Sequence, residues 1–419
     1  MTQKPVFISA RFRSGSTLLW NMFRHMPGCL AYYEPLHEHL PIHIEANAPA
    51  SESHINVSSY WDEYHPIAKD IETFHSQEFG LTQPYMDKNS SYPELAAYIR
   101  VLLKAAGRKT PVLQFNRVDF RLAWLKETFP EAVILHLERD PRENWFSMGR
   151  ELAEGAWKDP LANTQYDLVL WSLALHNDLP FLFSAPVATA YHRHYILWRL
   201  SGLLGRQHAD LTLHFEKNVL LDTEGTLNKI SALTGIDKIY PATIISLVSP
   251  PPQGRWRQLA APEWFDEAEA ECESLLNELG LLESFGNRPL EEVRQKKHPV
   301  WSPLLQESSK TAIKAAIRVT RETRNVQHQI WQKNHELSLI HHKYFDKSSV
   351  VIEDHRATIR TLKEQLAAQQ QQCKQLVLEN KRIETVLGDM QTENRIGRAS
   401  LAQAQRLLAS CEAKLQKQR

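Results

Sequence analysis

The chain has 419 residues, a length that predicts more than one structural unit. Its 49 basic and 49 acidic side chains balance, which excludes the strong overall charge that favours nucleic acids or acidic membranes. The cysteines are widely spaced and fit neither a disulfide framework nor a zinc knuckle. MTQKP leads directly into an apolar run, and no later run reaches the roughly 20 apolar residues that span a bilayer. The simplest interpretation is a cytoplasmic protein without a membrane span or a nucleic-acid partner.

Residues 1–290 alternate short apolar runs with helical patterns. Four runs are predicted strands: VFISA (6–10), PVLQF (111–115), AVILHLE (132–138) and LTLHFE (211–216). Between them, SYPELAAYIRVLLKAAG is a predicted helix that starts near Ser91 or Tyr92 and stops at Gly107. The alternation predicts an α/β domain of the P-loop type, with a mainly parallel sheet flanked by helices.

The stretch FISARFRSGSTLL follows the order strand, loop, helix. Compared with the nucleotide-binding spacing G-x-x-x-x-G-K-[ST], it matches at Gly15 and Thr17. Ala10 replaces the first glycine, and Ser16 replaces the lysine that contacts the outer phosphates of ATP or GTP. The turn still offers backbone N–H groups, hydroxyls, the charge of Arg13 and a helix N-terminus, which together suit an anion. The alternative is an ordinary serine-capped helix start.

A second polar turn, ERDPRENWFSM, follows the predicted strand AVILHLE. Pro141 is well placed to open a helix, and Ser147 lies about two helical turns beyond Arg139. A guanidinium at the strand end and a hydroxyl on the helix can therefore meet at one phosphate. Taken alone, this turn could also be a salt-bridged helix cap.

Together these two elements resemble the sulfotransferases that use 3′-phosphoadenosine 5′-phosphosulfate (PAPS). RFRSGSTLL resembles the 5′-phosphosulfate loop of that family, and LERDPRENWFS resembles its 3′-phosphate motif. FNRVDFRLAWLKETFPEAVILHLERDPR is similar to the strand–helix–strand approach to the second motif. LTLHFEKNVLLDTEGTLNKISALTGI is similar to the segment with a Tyr-Glu-Asp-like turn, although HFE departs from it. PPPQGRWRQLAAPEWFDEAEAECESLLNELGL resembles the C-terminal loop and last helix, and the resemblance covers roughly residues 5–285.

The resemblance implies two sets of residues that bind PAPS. The set for the 5′-phosphosulfate is Arg13, Ser14, Gly15, Ser16 and Thr17, and Arg13 would also stabilise charge on the leaving phosphate. The set for the 3′-phosphate is Arg139, Ser147, Gly254 and Arg255, with Arg257 in a supporting role. The missing lysine and the missing magnesium-binding aspartate imply a site that needs no metal.

A candidate base follows in CLAYYEPLHEHL. Tyr33-Glu34-Pro35 resembles the Y/F-E-P turn of carbohydrate sulfotransferases, which implies that Glu34 takes the proton of the acceptor hydroxyl. The alternative is a surface glutamate before a proline turn. His37, His39 and His43 share metal-like spacings, but no cysteine or acidic cluster completes a ligand set, and we expect no metal.

The acceptor is predicted to be a sugar or a glycolipid. The stretches 40–90 and 157–210 are rich in aromatic residues that suit either sugars or an ordinary core: Trp61, Tyr64, Tyr85, Trp157 and Trp171. Carbohydrate sulfotransferases of the animal Golgi usually carry an N-terminal anchor. Because the sequence has none, the resemblance favours a bacterial-type enzyme.

The C-terminal third has a different composition. Residues 291–350 read as a basic helical linker, either solvated or in contact with an acidic glycan or lipid. Residues 351–419 carry a seven-residue repeat that predicts a coiled coil and a homodimer: Ile352, Ile359, Leu366, Cys373, Asn380, Leu387, Asn394, Leu401, Leu408 and Leu415. A second set, offset by three, is Leu362, Leu376, Ile383, Met390, Ala404 and Cys411. A single long helix folded back on its own domain is the alternative.

Three functional hypotheses follow. The leading one is a PAPS-dependent sulfotransferase that dimerises through its coiled coil. The second is a catalytically inactive sulfotransferase-like scaffold that acts through the coiled coil. The third, a P-loop kinase, requires a lysine where Ser16 stands.

Overall fold

The protein divides into two compact units, one formed by residues 1–182 and 186–302 and the other by residues 183–185 and 303–419. The computed structural model describes residues 4–47, 54, 57–149, 171–172, 174–175, 178–183, 186–236, 242–288 and 290, and, in the second unit, residues 322, 326, 329–330, 333, 337, 360–372, 374–379, 381–382 and 385. Among these residues, no helix combines the length and the apolar character needed to cross a membrane.

The first unit is built on a parallel sheet. Its strands are β1 Val6–Ala10, β2 Cys29–Tyr33, β3 Thr110–Phe115, β4 Val133–Glu138 and β5 Leu211–His214. The order across the sheet is β2-β3-β1-β4-β5, and every neighbouring pair is parallel. The four predicted strands are confirmed, whereas β2 was not predicted.

Helices connect the strands and cover the sheet. They are α1 Ser16–Arg24, α2 Leu40–Glu45, α3 Ala68–Phe74, α4 Pro93–Ala105, α5 Leu122–Thr128, α6 Pro141–Gly149, α7 Ala190–His208, α8 Thr223–Thr234, α9 Ala242–Ser246, α10 Pro262–Glu278 and α11 Leu281–Ser284. Short 3-10 helices occupy Asp62–Ile67, Pro180–Phe183 and Arg255–Gln258. The predicted boundaries of α4 are confirmed, because proline opens the helix after Tyr92 and Gly107 follows its end with a positive φ of 61°.

Strand β1 is the centre of the core, and all five of its residues are buried. Its register sets Val6 between Val112 of β3 and Val133 of β4, so apolar side chains fill both faces of the sheet. The carboxyl ends of these three parallel strands therefore meet at one edge. In open α/β sheets, this edge is where loops assemble ligand sites.

The last predicted strand is shorter than LTLHFE. Strand β5 stops at His214, and Phe215–Leu220 form a π-helix instead. The turn carries Phe215 over the first loop, so closely that a Cβ atom added to Gly15 would lie 2.1 Å from its ring. The local departure from the strand pattern thus covers the loop that the sequence assigns to phosphate.

In the second unit, residues 360–372 and 374–379 are helical. Leu376 is buried and Leu362 and Leu366 are half-buried, while most other described positions of this helix are exposed. The face with the heptad apolar residues is therefore the packed face. The Gln369 side chain donates to Oε1 of Gln329 at 3.2 Å, so this helix contacts the segment that precedes it.

These contacts bear on the predicted linker and coiled coil. Val326, within the predicted linker, is buried. The coiled coil and its homodimer remain predictions. The remaining heptad residues lie outside the described residues: Ile352, Ile359, Cys373, Asn380, Ile383, Leu387, Met390, Asn394, Leu401, Ala404, Leu408, Cys411 and Leu415.

Candidate active site

A cavity of about 340 Å³ lies at the carboxyl edge of β1, β2, β3 and β4. Its walls are formed by Phe12, Arg13, Gly15, Ser16, Thr17, Leu18, Asn21, Tyr33, Glu34, His54, Val57, Asn116, Arg139, Ser147, Phe215, Leu247, Ser249, Pro251 and Arg255. Among the residues predicted to bind PAPS or to act as the base, all but Ser14, Gly254 and Arg257 line this one cavity.

The first loop joins β1 to α1 through two residues with a left-handed backbone. Gly15 has a φ of 88° and Arg13 a φ of 62°, a conformation that costs free energy in a residue with a side chain. This turn presents the N-terminus of α1, whose first N–H groups lack partners within the helix, to the cavity. Such an arrangement favours an anion.

The two predicted phosphate elements meet at this loop. Nε of Arg13 donates to Oγ of Ser147 at 3.0 Å, which joins the loop to α6. Nη1 of Arg139, just beyond β4, donates to the carbonyl of Arg13 at 2.9 Å. The hydroxyl and the two guanidinium groups therefore converge.

Two arginines in the cavity carry unsatisfied donors. Among the described residues, the buried Nε atoms of Arg139 and Arg255 have no hydrogen-bond partner. Their nearest carboxylates, on Glu216 and Glu143, lie 3.6 Å and 3.9 Å away. Burial lowers the pKa of Arg139, because a charged group is less stable away from water, although Glu216 opposes the shift. Buried guanidinium donors of this kind suit an anionic group such as a phosphate.

Ser14 and Gly254 support the site without lining the cavity. Oγ of Ser14 accepts from Nδ2 of Asn144 at 3.0 Å, and the Ser14 amide donates to the carbonyl of Arg11 at 3.3 Å. The Gly254 amide donates to Oε1 of Glu143. Both residues thus fix the loops that carry their neighbours.

Arg257, given a supporting role by the resemblance, does not line the cavity. Its guanidinium lies 4.5 Å from the ring centre of Trp256. Nη1 of the same guanidinium lies against Gly254, and the supporting role of Arg257 at the 3′-phosphate stays a prediction.

The candidate base lies on the opposite wall. Glu34 follows β2 directly and has a positive φ of 40°. Because Tyr33 pairs with Gln114, the turn at Glu34 lies beside the end of β3. Nδ2 of Asn116 donates to Oε1 of Glu34 at 2.5 Å, and Nη1 of Arg117 donates to Oε2 at 3.4 Å. The carboxyl group is therefore held on both oxygens.

Burial sets the basicity of this group. Desolvation raises the pKa of Glu34 above its ordinary value of 4.5, the positive charge of Arg117 opposes the shift, and Glu38 adds to it. A carboxylate with a raised pKa is a stronger base once it is ionised. Glu34 is thus a buried carboxyl group at the cavity and not a surface glutamate.

The predicted aromatic residues are placed differently from expectation. Trp61, Tyr64 and Trp171 are buried core residues, and Tyr85 contacts Phe285. None of them lines the cavity, and Trp157 lies outside the described residues. The cavity lining outside the predicted PAPS-binding residues instead includes Tyr33, His54, Val57 and Asn21.

The three histidines of the possible metal set pack as aromatic side chains. The ring of His43 stacks on Trp61 at 5.1 Å, and His37 lies 4.8 Å from His43. Burial lowers the pKa of His37, which favours the neutral ring. Within the described residues, no group of three or more metal-ligating side chains is positioned to hold an ion.

The sequence model of the sulfotransferase family matches residues 5–238, more than half of the chain. This chain belongs to the sulfotransferase family. A search of curated proteins found no match to this sulfotransferase.

Solved sulfotransferases share low sequence identity with this one. A sulfotransferase from Alicyclobacillus acidocaldarius is 16% identical, over 70% of this chain and 100% of that one, with a TM-score of 0.34. The sulfotransferase domain of the Synechococcus PCC 7002 olefin synthase is 18% identical, over 65% and 89%, with a TM-score of 0.30. A sulfotransferase from Mycobacterium avium is 12% identical, over 66% and 77%, with a TM-score of 0.35.

Sequence reasoning missed the residues that support Glu34 in this sulfotransferase. Asn116 and Arg117 follow β3 immediately, and polar residues after a buried parallel strand are a signal for a site at the carboxyl edge. Without β2, however, nothing in the sequence places that edge beside Glu34. Phe215 was noted only as a departure from the family pattern, yet it closes one side of the cavity.

Proposed function

We propose that this sulfotransferase transfers the sulfuryl group of PAPS to a hydroxyl group of a sugar or glycolipid. The observation that carries the proposal is the convergence on one cavity of Arg13, Arg139 and Arg255 on one side and Glu34 on the other. Two phosphates need several fixed positive charges, and an acceptor hydroxyl needs a base. One cavity offers both.

The donor side divides into two phosphate subsites. The loop with Arg13, Gly15, Ser16 and Thr17 would hold the 5′-phosphate through its backbone N–H groups and one guanidinium. Arg139, Ser147 and Arg255 would hold the 3′-phosphate, and the unpartnered Nε atoms of the two arginines support this assignment. The 3′-phosphate subsite would distinguish PAPS from ATP.

When PAPS is bound, it supplies a sulfuryl group whose bond to the 5′-phosphate oxygen breaks as the acceptor oxygen bonds to sulfur. Glu34 would take the proton of the acceptor hydroxyl, so that no proton is left on the new sulfate ester. Arg13 would stabilise the negative charge that remains on the 5′-phosphate. The chain's own charges thus suffice for the transfer, and no metal enters the proposal.

The acceptor class rests on the Tyr33-Glu34-Pro35 turn and on the lining of the cavity outside the donor-binding residues. His54 and Asn21 offer polar contacts there, while Val57 offers an apolar one. Such a mixed wall suits a sugar hydroxyl with one apolar face. The homodimer and the cytoplasmic location remain predictions of the same proposal.

Incubation of the purified protein with PAPS and a panel of sugars, glycolipids and phenols tests the proposal. We expect 3′,5′-adenosine bisphosphate and a sulfated sugar or glycolipid to form in equal amounts, as measured by mass spectrometry. Sulfation of phenols alone would overturn the acceptor class. Nucleotide binding without turnover on any member of the panel would favour the inactive scaffold instead.

A further inference from the structure

A set of hydrogen bonds along the cavity wall links Glu34 to the phosphate loop. Oδ1 of Asn116 accepts from Oγ of Ser16 at 3.1 Å and from Nε2 of Gln114 at 2.8 Å. Nε2 of Gln114 also donates to Oγ of Ser16 at 3.0 Å. Because Nδ2 of the same Asn116 amide donates to Glu34, one side chain contacts both walls of the cavity.

The orientation of Asn116 is fixed by these partners. An amide oxygen only accepts and an amide nitrogen only donates, so two donors on Oδ1 direct Nδ2 toward the carboxylate. Asn116 is 9% exposed and Gln114 is fully buried, which protects the bonds from competition with bulk water. Oε1 of Gln114 also accepts from the Glu34 amide at 3.3 Å. The side chain and the backbone of Glu34 are thus held from β3.

We propose that Asn116 is the positioning residue for Glu34, and that its bonds to Ser16 and Gln114 tie the base to the phosphate loop. The inference rests on the proposed function, in which Glu34 is the base. A general base must lie within hydrogen-bond reach of the proton that it removes, and small displacements lower the rate steeply. Asn116 sets that position relative to the loop that binds the donor.

Charged groups around Glu34 determine how removal of the Asn116 side chain should change the pKa of Glu34. Arg117 binds Oε2 of Glu34 through one nitrogen, and its Nη2 donates to Oε2 of Glu38 at 2.9 Å. Tyr33 precedes Glu34, and the Tyr64 hydroxyl donates to the Tyr33 carbonyl at 2.8 Å. Burial, the largest influence, disfavours the ionised form of Glu34, and so does Glu38, whereas the positive charge of Arg117 and hydrogen bonds with the Tyr33 and Asn116 side chains favour it. Removal of the amide should therefore raise the pKa of Glu34 further.

Two substitutions of Asn116 separate its bond to Glu34 from its bonds to Ser16 and Gln114. Asn116→Ala removes the bond to Glu34 and the bonds to Ser16 and Gln114. Asn116→Asp keeps an oxygen for Ser16 and Gln114 but places a second carboxyl group against Glu34, so the pair should titrate together. Asn89→Ala, in an exposed turn, is the control for loss of an asparagine.

The first readout is the titration of the Glu34 side-chain carboxyl carbon by ¹³C NMR, assigned by its loss in Glu34→Gln. It needs neither an acceptor nor turnover. We expect Asn116→Ala to raise the pKa of Glu34 measurably. Asn116→Asp should raise it more, and Asn89→Ala should leave it unchanged.

The second readout is sulfate release from PAPS with water as acceptor, together with calorimetric binding of 3′,5′-adenosine bisphosphate. Asn116→Ala should lower kcat about tenfold or more, move the acidic limb of the pH profile to higher pH, and leave bisphosphate affinity within about threefold. A merely structural role would lower the thermal midpoint without moving the pH limb.

The possible outcomes distinguish failure of the proposed role of Asn116 from failure of the proposed function. If the native protein neither binds the bisphosphate nor releases sulfate, the proposed function fails, and the inference fails with it. If it does both, but neither Asn116 variant moves the pKa of Glu34 or the pH limb, the inference is wrong and the function stands. Should either variant fail to fold, the other still reports the titration.

Discussion

The wall of the cavity that holds Arg13 and Arg139 differs from the wall that holds Glu34 in how its groups are supported. On the donor wall, loops at the starts of α1 and α6 carry the functional groups, and each group lies within a few residues of a helix start. On the base wall, Glu34 depends on Asn116 and Arg117, more than 80 residues away along the chain. Each motif of the first wall is local in sequence, and the two motifs meet through the contact of Arg13 with Ser147, whereas Glu34 reaches its partners only because β2 pairs with β3.

The two walls are expected to control different steps of the reaction. The donor wall should control affinity for the nucleotide, because its charges contact phosphates in the ground state. The base wall should control turnover, because proton removal occurs as the new bond forms. Substitutions on the two walls should therefore have separable effects.

The largest expected effect is that of Glu34→Gln. Loss of the base should lower kcat for sulfate transfer from PAPS by about 10²- to 10⁴-fold, because the amide cannot take the proton. Calorimetry should show unchanged affinity for 3′,5′-adenosine bisphosphate. Glu38→Gln is the matched control, since Glu38 shares Arg117 but does not line the cavity. Equal losses in both variants would remove Glu34 from the role of base.

Arg139→Ala should act on the other wall. Loss of a charge-assisted contact to phosphate should weaken bisphosphate binding about 10- to 100-fold, measured by calorimetry. Arg142→Ala removes an arginine from the same turn, but its partners are Asp266 and Glu269 of α10, so only stability should fall. If Arg139→Ala lowered turnover but left the affinity for the bisphosphate intact, the donor wall would not control nucleotide binding.

Gly15→Ala tests the shape of the loop. The added Cβ atom would meet the ring of Phe215 at 2.1 Å in a residue whose φ is 88°. Gly28→Ala is the control, with a φ of 81° and no atom within 4 Å. Urea unfolding should show a loss of about 1–2 kcal/mol for the control, from backbone strain alone. Gly15→Ala should lose about 1–3 kcal/mol more, and equal losses would mean that Phe215 is not packed on the loop.

The smallest expected effect concerns association. Light scattering should show that the full chain is a dimer and that a chain ending at residue 302, the boundary between the compact units, is a monomer. Activity per site should change little, since the cavity lies within the first unit. The same mass per chain in both proteins would contradict the predicted coiled-coil dimer and favour the long helix that folds back.

The two walls also differ in how far the sequence predicts them. Arg13, Arg139 and Ser147 could be found because each lies in a short motif whose helix start is visible from Gly15 or Pro141. The fold class followed from the same alternation of strands and helices. These features depend on interactions between residues close together in the chain, so they can be predicted from the sequence.

Prediction of the base wall requires long-range contacts that cannot be read from the sequence. CLAYY was not recognised as a strand, and without it the partners of Glu34 could not be identified. The π-helix at Phe215 was missed for a similar reason, because the apolar pattern of LTLHFE continues past the point where the chain turns. At both positions, the pairing of distant strands determines the local structure, and residue type alone does not.

The most direct test of the central claim is calorimetric titration of the purified protein with 3′,5′-adenosine bisphosphate, 5′-AMP and ATP. The account predicts that the bisphosphate binds at least about tenfold more tightly than the other two, because only it engages both the loop at Arg13 and the arginines at 139 and 255. Absence of binding, or equal binding of ATP, would mean that these groups do not form one PAPS site.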